Sequence, residues 1–145
     1  MKQNPQYPSY LTSIFIKTQL ANTVGNKKAV NVRILAGTQL NQLFQNKSYN
    51  IDLQLFSQII SAIKSSLNDP EQGIRKYAAT ILSTALNRYP LSQSEQFIQS
   101  LITSITSSKD MNEIEGISFC LSAILEAFHG NLESPENKQF VFNFS

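Results

Sequence analysis

The stretch Val32-Arg33-Ile34-Leu35-Ala36-Gly37-Thr38-Gln39-Leu40, continuing to Phe44, is answered 42 residues later by Ile74-Arg75-Lys76-Tyr77-Ala78-Ala79-Thr80-Ile81-Leu82, continuing to Leu86. Each copy opens on a β-branched residue and an arginine, follows with two small residues, and places a leucine three positions further on. Self-similarity at a period of about 40 with this pattern is the signature of HEAT-type helical hairpins. One such hairpin cannot bury its apolar stripe alone, so hairpins stack side by side into a solenoid. The expected fold class is therefore all-α, an α-α superhelix of about three hairpins, an architecture that binds macromolecules far more often than it catalyses.

Outward from these two helices, the apolar periodicity divides the chain. Residues 1–9 read as a lead-in, held extended by Pro5 and Pro8, with Ser9 as an N-cap. Hairpin 1 covers 10–46: a first helix from about Tyr10 to Ala21, a loop from Asn22 to Lys28, and a second helix from Ala29 to Gln45. Hairpin 2 covers 47–90, with Leu53, Phe56, Ile59, Ile60, Ile63 and Leu67 on one stripe. Its inner turn is Asn68-Asp69-Pro70-Glu71, with Asp69 expected as the cap and Pro70 as the first helical residue. The second helix then runs to Asn87, and Tyr89-Pro90 stops it. Hairpin 3 covers 91–130, with helices from Ser94 to Thr106 and from Glu113 to Phe128, closed by His129-Gly130. Residues 131–145 fit no repeat and end on Phe140, Val141, Phe142 and Phe144. With no polar capping repeat at either end, the chain reads as a fragment of a longer array.

Composition agrees with a helical surface made from neutral polar groups. Of 145 residues 41% are hydrophobic but only 15% charged. Solubility then falls to 13 Gln, 13 Asn and 18 Ser dispersed along the chain. No apolar run approaches the roughly 20 residues of a membrane span, and Met1 to Gln6 has no secretory apolar core. A lone cysteine excludes an internal disulfide and suits a reducing compartment. Charge is unevenly placed. Residues 1–51 carry Lys2, Lys17, Lys27, Lys28, Arg33 and Lys47 and no acidic residue, whereas residues 52–145 carry six basic and ten acidic residues. A basic end and an acidic end suit electrostatic steering of a partner. Cations this dispersed make nucleic acid a poor third choice of ligand, since basic residues that read phosphates cluster on one face.

Catalytic constellations are missing from the pattern. His129 is the sole histidine, so no two-histidine metal site can form. Cys120 falls on the apolar stripe with Ile117, Leu121 and Ile124 and reads as a buried thiol. Glu113 and Glu115, two apart on a helix, point to different sides. The expectation is a protein that is not an enzyme and takes no cofactor. Arg33 and Arg75 share a repeat position near the intra-hairpin turn, where each can pair with an acidic residue of the next repeat, such as Asp69, or face a partner. The polar sides of the second helices carry the remaining candidates for partner contact: Gln39, Asn41, Gln42, Lys76 and Glu115, the last expected to meet a basic patch.

Taken together, the residues from Tyr10 to Phe128 resemble the amino-terminal HEAT repeats of the karyopherin-β nuclear transport receptors, most closely the transportin branch. Asn4-Pro5-Gln6-Tyr7-Pro8-Ser9-Tyr10-Leu11 resembles the entry to that family's second repeat. Val32-Arg33 through Ala36-Gly37 to Leu40-Asn41-Gln42 resembles its Arg-x-x-small-Gly-x-x-Leu-Lys-Asn pattern, with Asn41-Gln42 in place of Lys-Asn. Asn112-Glu113-Ile114-Glu115-Gly116 through Leu125 resembles the last helix of its fourth repeat. The resemblance implies an arch that clasps Ran in its GTP-bound state, with the cargo-binding half and most of the first repeat lacking. It further implies nucleoporins as additional partners, no membrane or small-molecule substrate, and residence in cytoplasm and nucleus. The rival expectation is a HEAT-type protein–protein scaffold indifferent to Ran.

Overall fold

The computed structural model describes residues 6–16, 27–46, 49, 51–87 and 91–129, and these residues form six α-helices and no strand. In chain order they are α1 (Tyr7–Ile16), α2 (Lys27–Gln45), α3 (Leu53–Ser65), α4 (Gln72–Leu86), α5 (Leu91–Ser107) and α6 (Met111–His129). A 3-10 turn, Ser66–Asn68, links α3 to α4. Consecutive helices pair as α1 with α2, α3 with α4 and α5 with α6. The even-numbered helices also pack on one another, so α4 lies between α2 and α6, and α1 packs beside α3.

Each helix is anchored by the stripe that its sequence spacing supplies. On α3 the buried residues are Phe56, Ile59, Ile60 and Ile63, the three- and four-residue steps of one helical face. The Asp52 carboxylate caps that helix by accepting from the Leu55 amide at 3.2 Å. On α4 the buried face is wider, comprising Ile74, Ala78, Ala79, Ile81, Leu82, Ala85 and Leu86, because neighbours lie on several sides. Burying each of its large aliphatic side chains stabilises the fold by about 1.5–3 kcal/mol. Phe44 of α2 meets Phe56 of α3 edge-on, ring centroids 5.3 Å apart, joining the first pair to the second. Leu67, carried inward by the 3-10 turn, is equally buried.

Helix starts differ from the sequence expectations, each for a local reason. The first helix begins at Tyr7, so Ser9 lies inside it and does not cap it. Pro8 is its second residue, where a missing amide hydrogen costs no helical bond, and the Thr12 hydroxyl donates to the Pro8 carbonyl at 2.7 Å. Lys27 and Lys28 belong to α2 and not to the preceding loop. The fourth helix begins at Gln72, leaving Asp69 and Pro70 outside it. Helices α5 and α6 start at Leu91 and Met111, three and two residues before the expected Ser94 and Glu113. The expected loop Asn22–Asn26, the stop at Tyr89-Pro90, Gly130 and the 131–145 tail lie outside the described residues.

Candidate partner-binding face and the arginine ladder

Arg33 and Arg75, equivalent in sequence, each reach out of one helix pair into the next. The Arg33 side chain is 1% exposed. Its Nε donates to the Phe15 carbonyl of α1 at 2.8 Å. Its two Nη atoms face the two carboxylate oxygens of Asp69 in a bidentate ion pair. Asp69 Oδ1 also accepts from the Glu71 amide at 3.0 Å. One guanidinium therefore ties the end of α1, the body of α2 and the entry to α4. This is the inter-repeat pairing that the sequence position allowed, and it removes Arg33 from the partner-contact candidates, because a buried and fully engaged guanidinium reaches no partner.

The second rung has a different form. Arg75 Nη1 donates to the carbonyls of Asp69 at 2.7 Å and Pro70 at 3.1 Å. Nη2 pairs with Glu115 Oε1 on α6 at 2.7 Å, and Gln72 Nε2 donates to the same oxygen at 3.1 Å. The Arg75 hydrogen bond foremost, then that from Gln72, holds the Glu115 carboxyl below its ordinary range. Asp110, on the turn before α6, accepts from the Asn112 amide at 2.9 Å. The Glu115 side chain remains 40% exposed. Both bonds fall on Oε1, so within the chain Glu115 serves first as the acceptor that ties α4 to α6.

The remaining candidates fall on different parts of the surface. Gln39 turns toward α1 and accepts from the Tyr7 hydroxyl at 2.7 Å. Asn41 is half-buried, its Oδ1 shielded and without a hydrogen-bond partner. Gln42 is exposed. Lys76 is exposed, with its ammonium 5.4 Å from the centre of the Phe119 ring on α6, and it also stabilises the charged form of Glu115. The structure thus gathers Gln72, Lys76, Glu115 and Phe119 across the α4–α6 junction and leaves Gln39, Asn41 and Gln42 on α2 apart from them. Gln72 and Phe119 were not singled out in the sequence; Phe119, four residues after Glu115 and one turn along the same side, was the available signal.

Two glycines set how closely the helices approach. A Cβ on Gly116 would stand 1.7 Å from the Leu67 carbonyl oxygen, so α6 meets the backbone of the 3-10 turn directly. At Gly37 a Cβ would meet the Phe15 ring at 2.7 Å and the Tyr77 ring at 3.2 Å. Beyond Leu67, a cleft of about 300 Å³ opens where α3, α5 and α6 converge, with Lys64, Ser104 and Glu113 among its walls. The Lys64 ammonium donates to Ser100 Oγ at 3.0 Å and lies 5.8 Å from the Phe97 ring centre.

For chemistry, the described residues offer little. Burial pushes the Cys120 thiol up to about 12, which keeps it protonated and unreactive as a nucleophile. Among the described residues no three His, Cys, Asp or Glu side chains converge as metal ligands, and no helix is long and apolar enough to cross a membrane. The side chain of His129, at the end of α6, lies outside the described residues. The chain matches no protein-family model, no curated protein and no solved structure.

Proposed function

We propose that this chain is a protein-binding segment of a HEAT-type solenoid, and that it belongs with the nuclear transport receptors of the karyopherin-β family, moving between cytoplasm and nucleus. In this reading it catalyses nothing. It contributes part of the arch that holds Ran in its GTP state, through the exposed sides of α2, α4 and α6. The observation that carries the reading is the repeated arginine: Arg33 and Arg75, 42 residues apart, each lock one helix pair to the next. Gly37 and Gly116, the close-approach positions of α2 and α6, are also the small residues on which the family resemblance rests.

The test is calorimetric titration of the chain with Ran locked in its GTP form, with the GDP form as control. Heat from the GTP form alone supports the reading. Equal binding of both forms, or of neither, overturns it. A loss of about 3 kcal/mol relative to a complete arch would weaken binding by more than a hundredfold, so the titration must reach high concentration. One observation favours the second reading, a scaffold without nucleotide dependence: Arg33 and Glu115, two of the six expected contact residues, are engaged within the chain. That scaffold would bind its partner whichever nucleotide Ran carried.

A further inference from the structure

The cleft where α3, α5 and α6 converge holds two opposite charges that nothing within the chain pairs. Its apolar lining is Leu67 and Ile117, each 2% exposed, brought to one place because Gly116 lets α6 meet the backbone of the 3-10 turn. The rest of the lining is polar: Lys64 from the last turn of α3, Ser104 from α5 and Glu113 from the first turn of α6, with Ser65 and Asn68 beside them. Lys64 and Glu113 are both half-buried. The Lys64 ammonium donates to Ser100 Oγ at 3.0 Å, which uses one of its three N–H groups, and no carboxylate among the described residues pairs with it. Glu113 has no ion pair among the described residues either, unlike Glu115 two positions on, which Arg75 and Gln72 hold. The two charges therefore face one cleft without neutralising each other.

An apolar lining with a few convergent polar groups is the pattern of a small-molecule site, and about 300 Å³ stands at the small end of such sites. We propose that the cleft binds a free α-amino acid with an aliphatic side chain. The ligand's ammonium pairs with the Glu113 carboxylate, its carboxylate with the Lys64 ammonium, and its side chain lies against Leu67 and Ile117. A ligand with only one charge would leave the opposite charge of the cleft further desolvated and unpaired, whereas a zwitterion satisfies both at once. Binding would join the end of α3 to α5 and α6. The site is independent of whichever macromolecule the solenoid holds.

Titration of the full chain with leucine, followed through its backbone amide chemical shifts, tests this. Leucine should bind with a dissociation constant on the order of 1 mM, and the shifts should centre on Lys64, Leu67, Ser104, Glu113 and Ile117. Glycine, isocaproate and isoamylamine each lack one of the three contacts, namely side chain, ammonium or carboxylate. Each should bind about tenfold more weakly than leucine or worse. Two variants separate the charges. Glu113→Gln should weaken leucine about tenfold and leave isocaproate unchanged, and Lys64→Met should weaken leucine as much and leave isoamylamine unchanged. The proposal is overturned if leucine causes no shifts, if the shifts centre elsewhere, or if any truncated probe binds as leucine does. Because these three outcomes are read on the parent chain, they hold whether or not the variants fold. Folded variants that bind leucine as the parent does would overturn it equally.

Discussion

Gly116 and Gly73 sit in adjacent helices of one layer and respond oppositely to an added methyl group. At Gly116 the new carbon would overlap the Leu67 carbonyl, and a backbone atom cannot rotate aside. Gly116→Ala should therefore force α6 away from the 3-10 turn and destabilise the chain by about 3 kcal/mol or more. At Gly73, on the exposed side of α4, the nearest atom to a new Cβ is Ile34 Cδ1 at 3.7 Å, an ordinary contact. There the gain in helix propensity decides, and Gly73→Ala should stabilise by about 0.5–1 kcal/mol. Denaturant melts of the two variants should move to opposite sides of the parent midpoint, and a shift of both in one direction would contradict these placements. Arg33 is the other decisive residue. Replacing it by Met strands the buried Asp69 carboxylate and should cost about 3–5 kcal/mol. The double change Arg33→Met with Asp69→Leu should recover only part, since Asp69 also holds the Glu71 amide. A double-mutant cycle by chemical denaturation measures that remainder.

Asp69 shows at the scale of elements which features the sequence makes legible. The apolar stripes of α3 and α4 specify helices without ambiguity, because a three- and four-residue rhythm suits no other structure. The start of α4 is not legible in the same way, since Asp before Pro imitates a cap followed by a first helical residue. The carboxylate instead pairs with Arg33, 36 residues distant, and accepts from the Glu71 amide, and the helix begins at Gln72. The pairing of Arg33 with Asp69 was legible from the repeat register. The pairing of Arg75 with Glu115 is not, because the 42-residue period carries Asp69 to Met111, which has no carboxylate, and the acceptor comes instead from Glu115, inside α6. The junction of α4 and α6 should accordingly respond to acid. The Glu115 carboxyl is held below its ordinary value of 4.5 when the chain is folded. Such a depressed group contributes stability that is complete above the unfolded value and is lost as the pH falls through the folded one. Melting temperatures should thus drop on acidification below about pH 4.5. Glu115→Gln should melt lower near neutrality and show a shallower drop across the acid range. A drop as steep as in the parent would mean other carboxylates govern it.

Position in the layer sets how far damage should spread through the molecule. Helix α4 touches α2, α3 and α6, whereas α5 packs chiefly on α6. In an assembly of helix pairs joined only to their neighbours, stability is close to a sum of pair and interface contributions. A lesion at the centre removes two interfaces and one at the end removes a single interface. Leu82 on α4 and Leu101 on α5 are both fully buried, so an aspartate at either site places an unpaired charge in an apolar surrounding. Hydrogen exchange read by mass spectrometry separates the consequences. Leu101→Asp should accelerate exchange in α5 and α6 while α1 to α4 keep their protection. Leu82→Asp should release the amides of all six helices together, because neither flanking pair retains the neighbour that buries its stripe. Persistent protection of α1 and α2 in Leu82→Asp would show that the first pair stands alone, and the coupling assigned to Arg33 and Asp69 would then be too weak to bind the pairs into one cooperative unit.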